Sequence, residues 1–512
     1  MPPNQYLRDL CSKPAALLAV PVVFCGLSVA IGPLLGFGAI VGLLGTIVSV
    51  TYPVLIAAAL IAANTCFQIL GASHLIGLPI SLSKICGLLA LSAYLLHVIF
   101  ARWQITWTHT LTFTVLWLLL TFVWDLVFPP PSGAFLGSNR CLQIVLLTVV
   151  IAGVAGQNAR WLFWLTVATG TAMACTGVIA MIEHFLPELV VESDDPAVGL
   201  GTIGALVDRG SLDGVVLKRV TGGLGDSNWL AVSIAVAAPL GLYFLLRAKT
   251  WLDYSIAGLG NGLAAIALVL SYTRSGFIGL GFVGLYLLYK RIVPVKPILA
   301  GLLAAVVAGS IYMPPGFADR MLSSKYLKEG STPIRRELML TALDFWIESP
   351  IVGHGYSRYG IAMYQKALRV PPANPSLNGW FADLHKAVAE GRESPENIGA
   401  HNLYLEILTE YGLIGLVCYL AIFFAAWRDL KWVERNGDES QRLLAICLAA
   451  GFLTFLVCGM LVHAKYLKLP WILLGLTVAL RRVATIGDSD AVAMLQRRAV
   501  PAKSSLSADE RP

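Results

Sequence analysis

Long apolar runs alternate with short polar connections along most of this 512-residue chain. A helix needs about 20 apolar residues to cross a bilayer, so the runs predict about fourteen spans. They are expected at 16–32, 36–50, 53–70, 84–101, 110–128, 140–156, 160–185, 227–247, 252–272, 274–290, 297–313, 403–427, 442–463 and 467–481. The pattern therefore predicts an all-α, polytopic transmembrane helical bundle of about 12–14 spans.

Lysine and arginine are unevenly distributed between alternate connections. One set holds most of them, including the clusters at 428–442 and 290–296, while the alternate short connections hold few. Cytoplasmic loops carry the excess of these residues, so the basic set is expected in the cytoplasm. Both termini then lie in the cytoplasm, and the long polar segments 187–226 and 314–402 lie in the periplasm or outside the cell.

This topology divides the chain into consecutive parts. They are a cytoplasmic N-terminus at 1–15, transmembrane helices at 16–185, a periplasmic loop with Arg219 at 186–226, central transmembrane helices with Arg274 at 227–313, a large periplasmic loop at 314–402, C-terminal transmembrane helices at 403–481 and a cytoplasmic tail at 482–512. The tail is polar and is expected to be disordered.

The large periplasmic loop is too long to be a structureless connection. Its segment STPIRRELMLTALDFWIESP predicts an amphipathic helix, with Thr332 as the cap, Pro333 in the first turn and Pro350 as the end. Apolar positions fall on one face of this helix: Leu338, Ala342 and Phe345. With Trp346 nearby, the helix is expected to lie along the membrane surface.

Composition supports a membrane protein, since 57% of the residues are hydrophobic and only 13% are charged. The nine cysteines lie almost entirely in or beside apolar runs, which predicts packing residues rather than disulfides or a zinc site. Few spans contain an ionisable residue, and none places a relay of them at the midplane. This argues against a proton-coupled transporter.

Arginines are found instead at the outer ends of the predicted spans. Arg219 precedes a span opened by Gly222 and Asn228, and Arg274 lies in a tight turn between two spans. Arg335 and Arg336 begin the amphipathic helix. The planar, permanently charged guanidinium suits phosphate oxygens, so the group predicts an anionic ligand with more than one phosphate. Taken singly, each arginine could equally be an interfacial anchor.

His401 is the outer histidine best placed for proton transfer, because it directly precedes a span and its ordinary pKa is near neutrality. Asn402 is a candidate N-cap that would fix the direction of His401. Glu406 and Glu410 lie one turn apart in that span. They are candidate supporting groups, or simply complements to the positive end of the helix.

These pieces resemble the O-antigen ligase and polysaccharide polymerase superfamily of bacterial membrane glycosyltransferases. The resemblance rests on Arg219-Gly222-Asn228, on Tyr272–Ser275 around Arg274, on the pattern from Arg336 to PIxGxG at Gly355, and on HNxxLxxxxExGLIGL from His401 to Leu416. It covers roughly 215–420. A long Pro/Asn-rich insert at 369–400 departs from the family pattern.

The resemblance implies transfer of a glycan from undecaprenyl diphosphate to an acceptor on the outer face of the bacterial inner membrane. It assigns Arg219 and Arg274 to the carrier diphosphate and His401 to activation of the acceptor hydroxyl, with no metal or other cofactor. The implied partners are the lipid-linked donor, a lipid A core or glycan-chain acceptor and membrane lipids, without nucleic acid.

Three alternatives remain open at this stage. The first is an O-antigen or exopolysaccharide polymerase, which uses the same donor chemistry with a growing chain as acceptor. The second is a polysaccharide exporter or flippase, which the lack of charge within the spans disfavours. The third is a metal-dependent glycosyltransferase, which the absence of a carboxylate in the first outer loop, 31–37, disfavours.

Overall fold

The computed structural model describes residues 47–66, 82–101, 103–104, 107–131, 133, 135–186, 208–212, 215–292, 331–369, 375–391 and 394–499. The helices are α1 Pro53–Thr65, α2 Leu82–Phe100, α3 His109–Val127, α4 Leu136–Ala155, α5 Ala159–Phe185, α6 Ser227–Arg247, α7 Trp251–Leu270, α8 Arg274–Tyr289, α9 Ser331–Glu348, α10 Arg358–Arg369, α11 Pro375–Ala389, α12 Leu403–Asn436, α13 Glu439–Gly459 and α14 Lys468–Ala499. A short 3₁₀ turn, Pro395–Asn397, precedes α12.

Within these ranges, nine helices are long and apolar enough to span a membrane: α2–α7 and α12–α14. Two shorter apolar helices, α1 and α8, also overlap expected spans. The all-α membrane bundle is therefore confirmed. The expected spans 16–32 and 297–313 lie outside the described residues, as does most of 36–50.

α14 and α13 form the centre of the bundle. In their most apolar 18-residue stretches, 78% and 72% of the residues are buried, against 11% for α7 at the periphery. α14 packs on α4, α12 on α3, and α6 on α13. Gly475 lets α14 approach α4 closely, since a Cβ there would lie 2.9 Å from the Ile151 side chain. Small residues at such crossings are typical of membrane helix packing.

Two features differ from the sequence-based expectation. A two-stranded antiparallel hairpin, β1 Asp208–Leu212 and β2 Val215–Arg219, precedes α6, where only a loop was predicted. The predicted disordered tail is wrong in its first part, because α14 continues to Ala499. The segment after 481 contains no proline before Pro501 and many good helix formers, so the helix can continue past the apolar stretch.

A cap of α9, α10 and α11 covers one end of the bundle. α9 begins and ends near the predicted residues, and its buried positions Leu338 and Ala342 form a small core with Tyr359, Met363 and Ala400. Part of its opposite face is exposed and apolar, with Leu340, Leu343 and Ile347 at helical spacing. The cap is joined to the bundle where Ala400 leads into α12.

The other end of the bundle carries most of the short basic connections. Lys290 of α8's C-terminus and Lys431 of α12 both pair with Glu434, at 2.5 and 2.8 Å. Arg481 approaches Asp429 at 3.9 Å. The cap and the basic connections therefore lie at opposite ends of the bundle. This agrees with the uneven distribution of lysine and arginine between alternate connections in the sequence.

Candidate functional site

The site begins with the glycine-rich loop between β2 and α6, which wraps a carboxylate of the chain itself. Glu183 at the end of α5 is 1% exposed and accepts hydrogen bonds from the backbone N–H groups of Thr221, Gly222 and Gly223 at 2.6, 3.0 and 3.2 Å. Gly222 and Gly223 have φ of 59° and 81°, which glycine adopts readily. Successive N–H groups in this conformation form a concave anion site. Glu183 thereby fixes the loop that follows Arg219.

Arg219 is 4% exposed and joins this loop to the turn between α7 and α8. Its Nε donates to the Ser271 carbonyl at 3.0 Å, and its Nη2 donates to Thr273 Oγ1 at 2.8 Å. Thr273 directly precedes Arg274, which is half-buried at the first residue of α8. Arg219 is therefore bonded to the same turn that leads into Arg274, at the capped end of the bundle. These are the two arginines that the resemblance assigns to the diphosphate.

Asn228 connects a third arginine to the pair. Its Oδ1 accepts from Nη2 of Arg219 and from Nη2 of Arg335, each at 3.3 Å. The backbone N–H of Asn228 is in turn capped by Asp226 at 2.5 Å. Arg335 is half-buried, whereas its neighbour Arg336 is exposed. The structure thus brings Arg335 into the site, although the family pattern had pointed to Arg336.

His401 lies beside this arginine group, at the junction of the cap and α12. Its φ of 50° is unusual for a residue other than glycine. Asn402 holds the junction as the N-cap of α12, accepting from the N–H groups of Tyr404 and Leu405 at 2.9 and 3.0 Å. The Asn402 amide also donates to the Met460 carbonyl at 3.0 Å, which ties the junction to the end of α13.

The surroundings of His401 favour its neutral form. Burial lowers the pKa of His401 well below its ordinary value, and the electrostatic effects of His463 and Arg335 act in the same direction. At neutral pH the imidazole therefore has an unprotonated ring nitrogen that can accept a proton. Its ring meets that of His463 edge to face, with the centroids 4.8 Å apart.

Glu406 and Glu410 do not face the arginines but surround a buried lysine. Lys465, which is 2% exposed, forms an ion pair with Glu410 and lies 3.4 Å from Glu406. Tyr356, Tyr411 and Tyr466 present their rings to its ammonium at 5.0, 5.5 and 4.9 Å. Although burial opposes the charged form, Glu410 and Glu406 outweigh it and raise the pKa of Lys465. The two glutamates are therefore part of an ion cluster that organises the end of the bundle.

The PIxGxG and GLIGL motifs form one structural unit. α12 is broken at Gly412, whose φ of 63° and ψ of −163° are not helical. The segment 350–355 lies against this break. His354 N–H and Gly355 N–H donate to the carbonyls of Thr409 and Glu410, both at 2.8 Å, and Leu413 N–H donates to the Pro350 carbonyl at 2.9 Å. The break at Gly412 deprives nearby backbone N–H and C=O groups of their partners within the helix, and these bonds replace those partners.

Sequence reasoning missed three residues of this region: Glu183, His463 and Lys465. Glu183 lies near the end of an expected span and Lys465 in a short connection, and neither was predicted to belong to the site. The spacing VHAKY between two spans was the available signal, because two ionisable residues in so short a connection must lie at the level of the other outer loops. In the described part of the chain, no three His, Cys, Asp or Glu side chains are grouped as a metal site requires.

The bundle and its cap define a polytopic membrane protein that brings an arginine–histidine group together at one end. Residues 259–420 match the family model described as O-antigen ligase. The predicted relationship to the O-antigen ligase and polysaccharide polymerase superfamily is thereby confirmed. A comparison with curated proteins finds no match. The family match supports a multi-pass membrane protein with an O-antigen ligase-like transferase function in general.

Proposed function

We propose that this protein transfers a glycan from undecaprenyl diphosphate to an acceptor on the periplasmic face of the bacterial inner membrane. The acceptor of an O-antigen ligase is the lipid A core. The observation that carries the proposal is the convergence of Arg219 and Arg335 on Asn228 Oδ1, with Arg274 on the adjoining turn and His401 beside them. The matched region contains Arg274, Arg335 and His401.

The arginines are suited to bind the diphosphate and to stabilise its charge as the glycan leaves. Negative charge develops on the leaving oxygen in the transition state, and fixed guanidinium groups stabilise it without reorganisation. Arg219 is pre-oriented by its bonds to Ser271 and Thr273. The proposed reaction needs no metal, so transfer should continue in the presence of EDTA.

His401 is proposed as the general base that accepts the proton of the acceptor hydroxyl. The depressed pKa keeps the imidazole neutral through the neutral range. As the pH falls through this lowered pKa, His401 gains a proton and can no longer act as a base. The rate should therefore stay level below the ordinary histidine pKa and decline only at more acidic pH.

The distribution of basic residues between the two ends of the bundle supports an orientation in the membrane. The end opposite the site carries Arg247, Lys290, Lys431, Arg435, Arg481 and Arg482. The excess of basic residues there supports a cytoplasmic location for that end, with both termini in the cytoplasm and the site in the periplasm. The undecaprenyl chain would then remain in the outer leaflet while its diphosphate reaches the arginines.

A matched pair of substitutions tests the proposed diphosphate site. Arg335→Lys keeps the charge but loses the fork that reaches Asn228, while Arg336→Lys changes an exposed neighbour. Loss of charge-assisted hydrogen bonds of about 1.5–3 kcal/mol predicts a rate about 10- to 100-fold lower for Arg335→Lys. The assay is transfer from purified undecaprenyl diphosphate glycan in proteoliposomes. Equal rates for the two variants would contradict the assignment.

The nature of the acceptor separates a ligase from a polymerase. With the same donor, a ligase should modify purified lipid A core, whereas a polymerase should extend a second lipid-linked glycan. Arg274→Ala should abolish either product while the protein still inserts in the membrane. A product profile unchanged by Arg274→Ala would count against the shared donor site.

A further inference from the structure

His463 lies in the short connection between α13 and α14 and forms one wall of the site. Its ring packs against His401 and against the backbone of Gly399, where a Cβ would lie only 2.8 Å from His463 Cγ. The Trp229 ring lies on another side, with the centroids 6.4 Å apart. The position belongs neither to the family-matched region nor to the residues predicted from sequence.

The connection that carries His463 is fixed at several points. Trp229 Nε1 donates to the His463 carbonyl at 3.2 Å, and the Asn402 amide donates to Met460 at the start of the connection. Two residues beyond His463, Lys465 is anchored by Glu406 and Glu410 of α12. The His463 ring is therefore held at a set position relative to the helix that begins after His401.

The His463 imidazole has unused hydrogen-bonding capacity. His463 Nδ1 is buried and has no hydrogen-bond partner among the described residues. A buried polar atom without a partner is costly and is usually retained for a reason. Here the atom lies in a ring that contacts the proposed base directly.

Charged groups face this pair from several elements. Arg335 of α9 is close enough to affect His401, and Arg219 of β2 is linked to Arg335 through Asn228. Arg274 begins α8 at the same end, while Lys465 of the connection is paired with Glu406 and Glu410 of α12. Of these groups, Arg335 opposes the protonation of His401, as His463 itself does.

We propose that His463 is the positioning residue of His401, holding its ring in place to accept the acceptor proton and opposing its protonation before the acceptor binds. This rests on the proposed transferase function. In the transfer, the acceptor oxygen bonds to the glycan's anomeric carbon, the bond from that carbon to the diphosphate oxygen breaks, and the acceptor proton passes to His401. The electron pair of the broken bond leaves with undecaprenyl diphosphate. His401 then releases its proton to water.

The influence of His463 on His401 has a consequence that a purely structural residue lacks. His463 is one of the groups that lower the pKa of His401, after burial. Without His463, His401 should therefore gain its proton at higher pH. The acid limb of the pH–rate profile should move to higher pH accordingly.

The test compares His463→Phe and His463→Gln with the wild type in proteoliposomes, using a polyprenyl diphosphate glycan as donor. Both variants should lower kcat by about 10- to 100-fold through misplacement of His401, with the acid limb of kcat/KM shifted upward. His385→Phe is the matched control, because His385 is exposed on α11 and bonds Tyr364; its profile should match the wild type. Gly399→Ala leaves both histidines intact but displaces the His463 ring, and should lower kcat with little change in donor KM.

Outcomes separate this inference from the proposed function. An unshifted acid limb in both His463 variants, or wild-type kcat in Gly399→Ala, overturns the positioning role even if His401→Ala is inactive. If His401→Ala retains full activity, the proposed function fails instead. Size-exclusion profiles establish folding, and His463→Gln, the smaller change, decides the question if His463→Phe aggregates.

Discussion

Replacing Lys465 with methionine tests the ion cluster that joins α12 to the connection carrying His463. The ammonium is bonded to Glu410 and lies 3.4 Å from Glu406 Oε1, and Glu406 Oε2 is already buried without a partner among the described residues. Methionine would leave the buried Glu410 carboxylate, without its counterion, beside the partly buried carboxylate of Glu406. Breaking a buried pair in this way costs about 3–5 kcal/mol, and loss of the three tyrosine contacts adds to that.

Lys290→Met is the matched control at the opposite end of the bundle. Lys290 also pairs with a glutamate, Glu434 at 2.5 Å, but both side chains are partly exposed, so its loss should cost less than about 1 kcal/mol. Thermal midpoints in nanodiscs, recorded at one scan rate, compare the two variants. Glu410→Gln in the Lys465→Met background should recover part of the loss. Similar midpoints for Lys465→Met and Lys290→Met would refute the cluster's structural role.

Two further substitutions probe the backbone of the site. Gly412→Ala should destabilise the protein by about 1–3 kcal/mol, because φ is 63° and a methyl group would collide with the Ile351 carbonyl. The control is Gly281→Ala, since a Cβ at Gly281 would have no neighbouring atom within 4 Å. Equal thermal midpoints for the two variants would contradict the explanation. Glu183→Gln should raise the donor KM about 10-fold, since one carboxylate binds three N–H groups of the Arg219 loop. Asp253→Asn, an exposed cap of α7, should leave that KM unchanged, and a matching effect of both would refute the role of Glu183.

The membrane helices were predictable because apolar length determines them. Each described helix outside the cap overlaps an expected span, and Asn402 and Pro350 marked the start of α12 and the end of α9. Thr332 was wrong as the cap of α9, because the helix already includes Ser331. Gly412 was different. The sequence contains one apolar run across it, and only the backbone of 350–355, about 60 residues earlier in the chain, reveals why α12 breaks there.

The site was predicted in part. The sequence indicated that Arg219, Arg274 and His401 share one face, which the described geometry agrees with. Both Arg335 and Arg336 were candidate supporting residues, and the resemblance was aligned on Arg336. Only the rotation of α9 shows that Arg335 is the one that reaches Asn228. His463 was missed because its one signal, the spacing VHAKY, gives only its level in the membrane. Its contact with His401 comes from the packing of α13 and α14 beside α12.

The central claim is that His401 activates an acceptor for transfer from a polyprenyl diphosphate donor. Its most direct test is the single-turnover rate of glycan transfer by wild type and His401→Ala, reconstituted with undecaprenyl diphosphate glycan, lipid A core and EDTA. The account predicts transfer by the wild type, a rate about 10²- to 10⁴-fold lower for His401→Ala, and donor binding retained by both. Transfer by His401→Ala at the wild-type rate would contradict it.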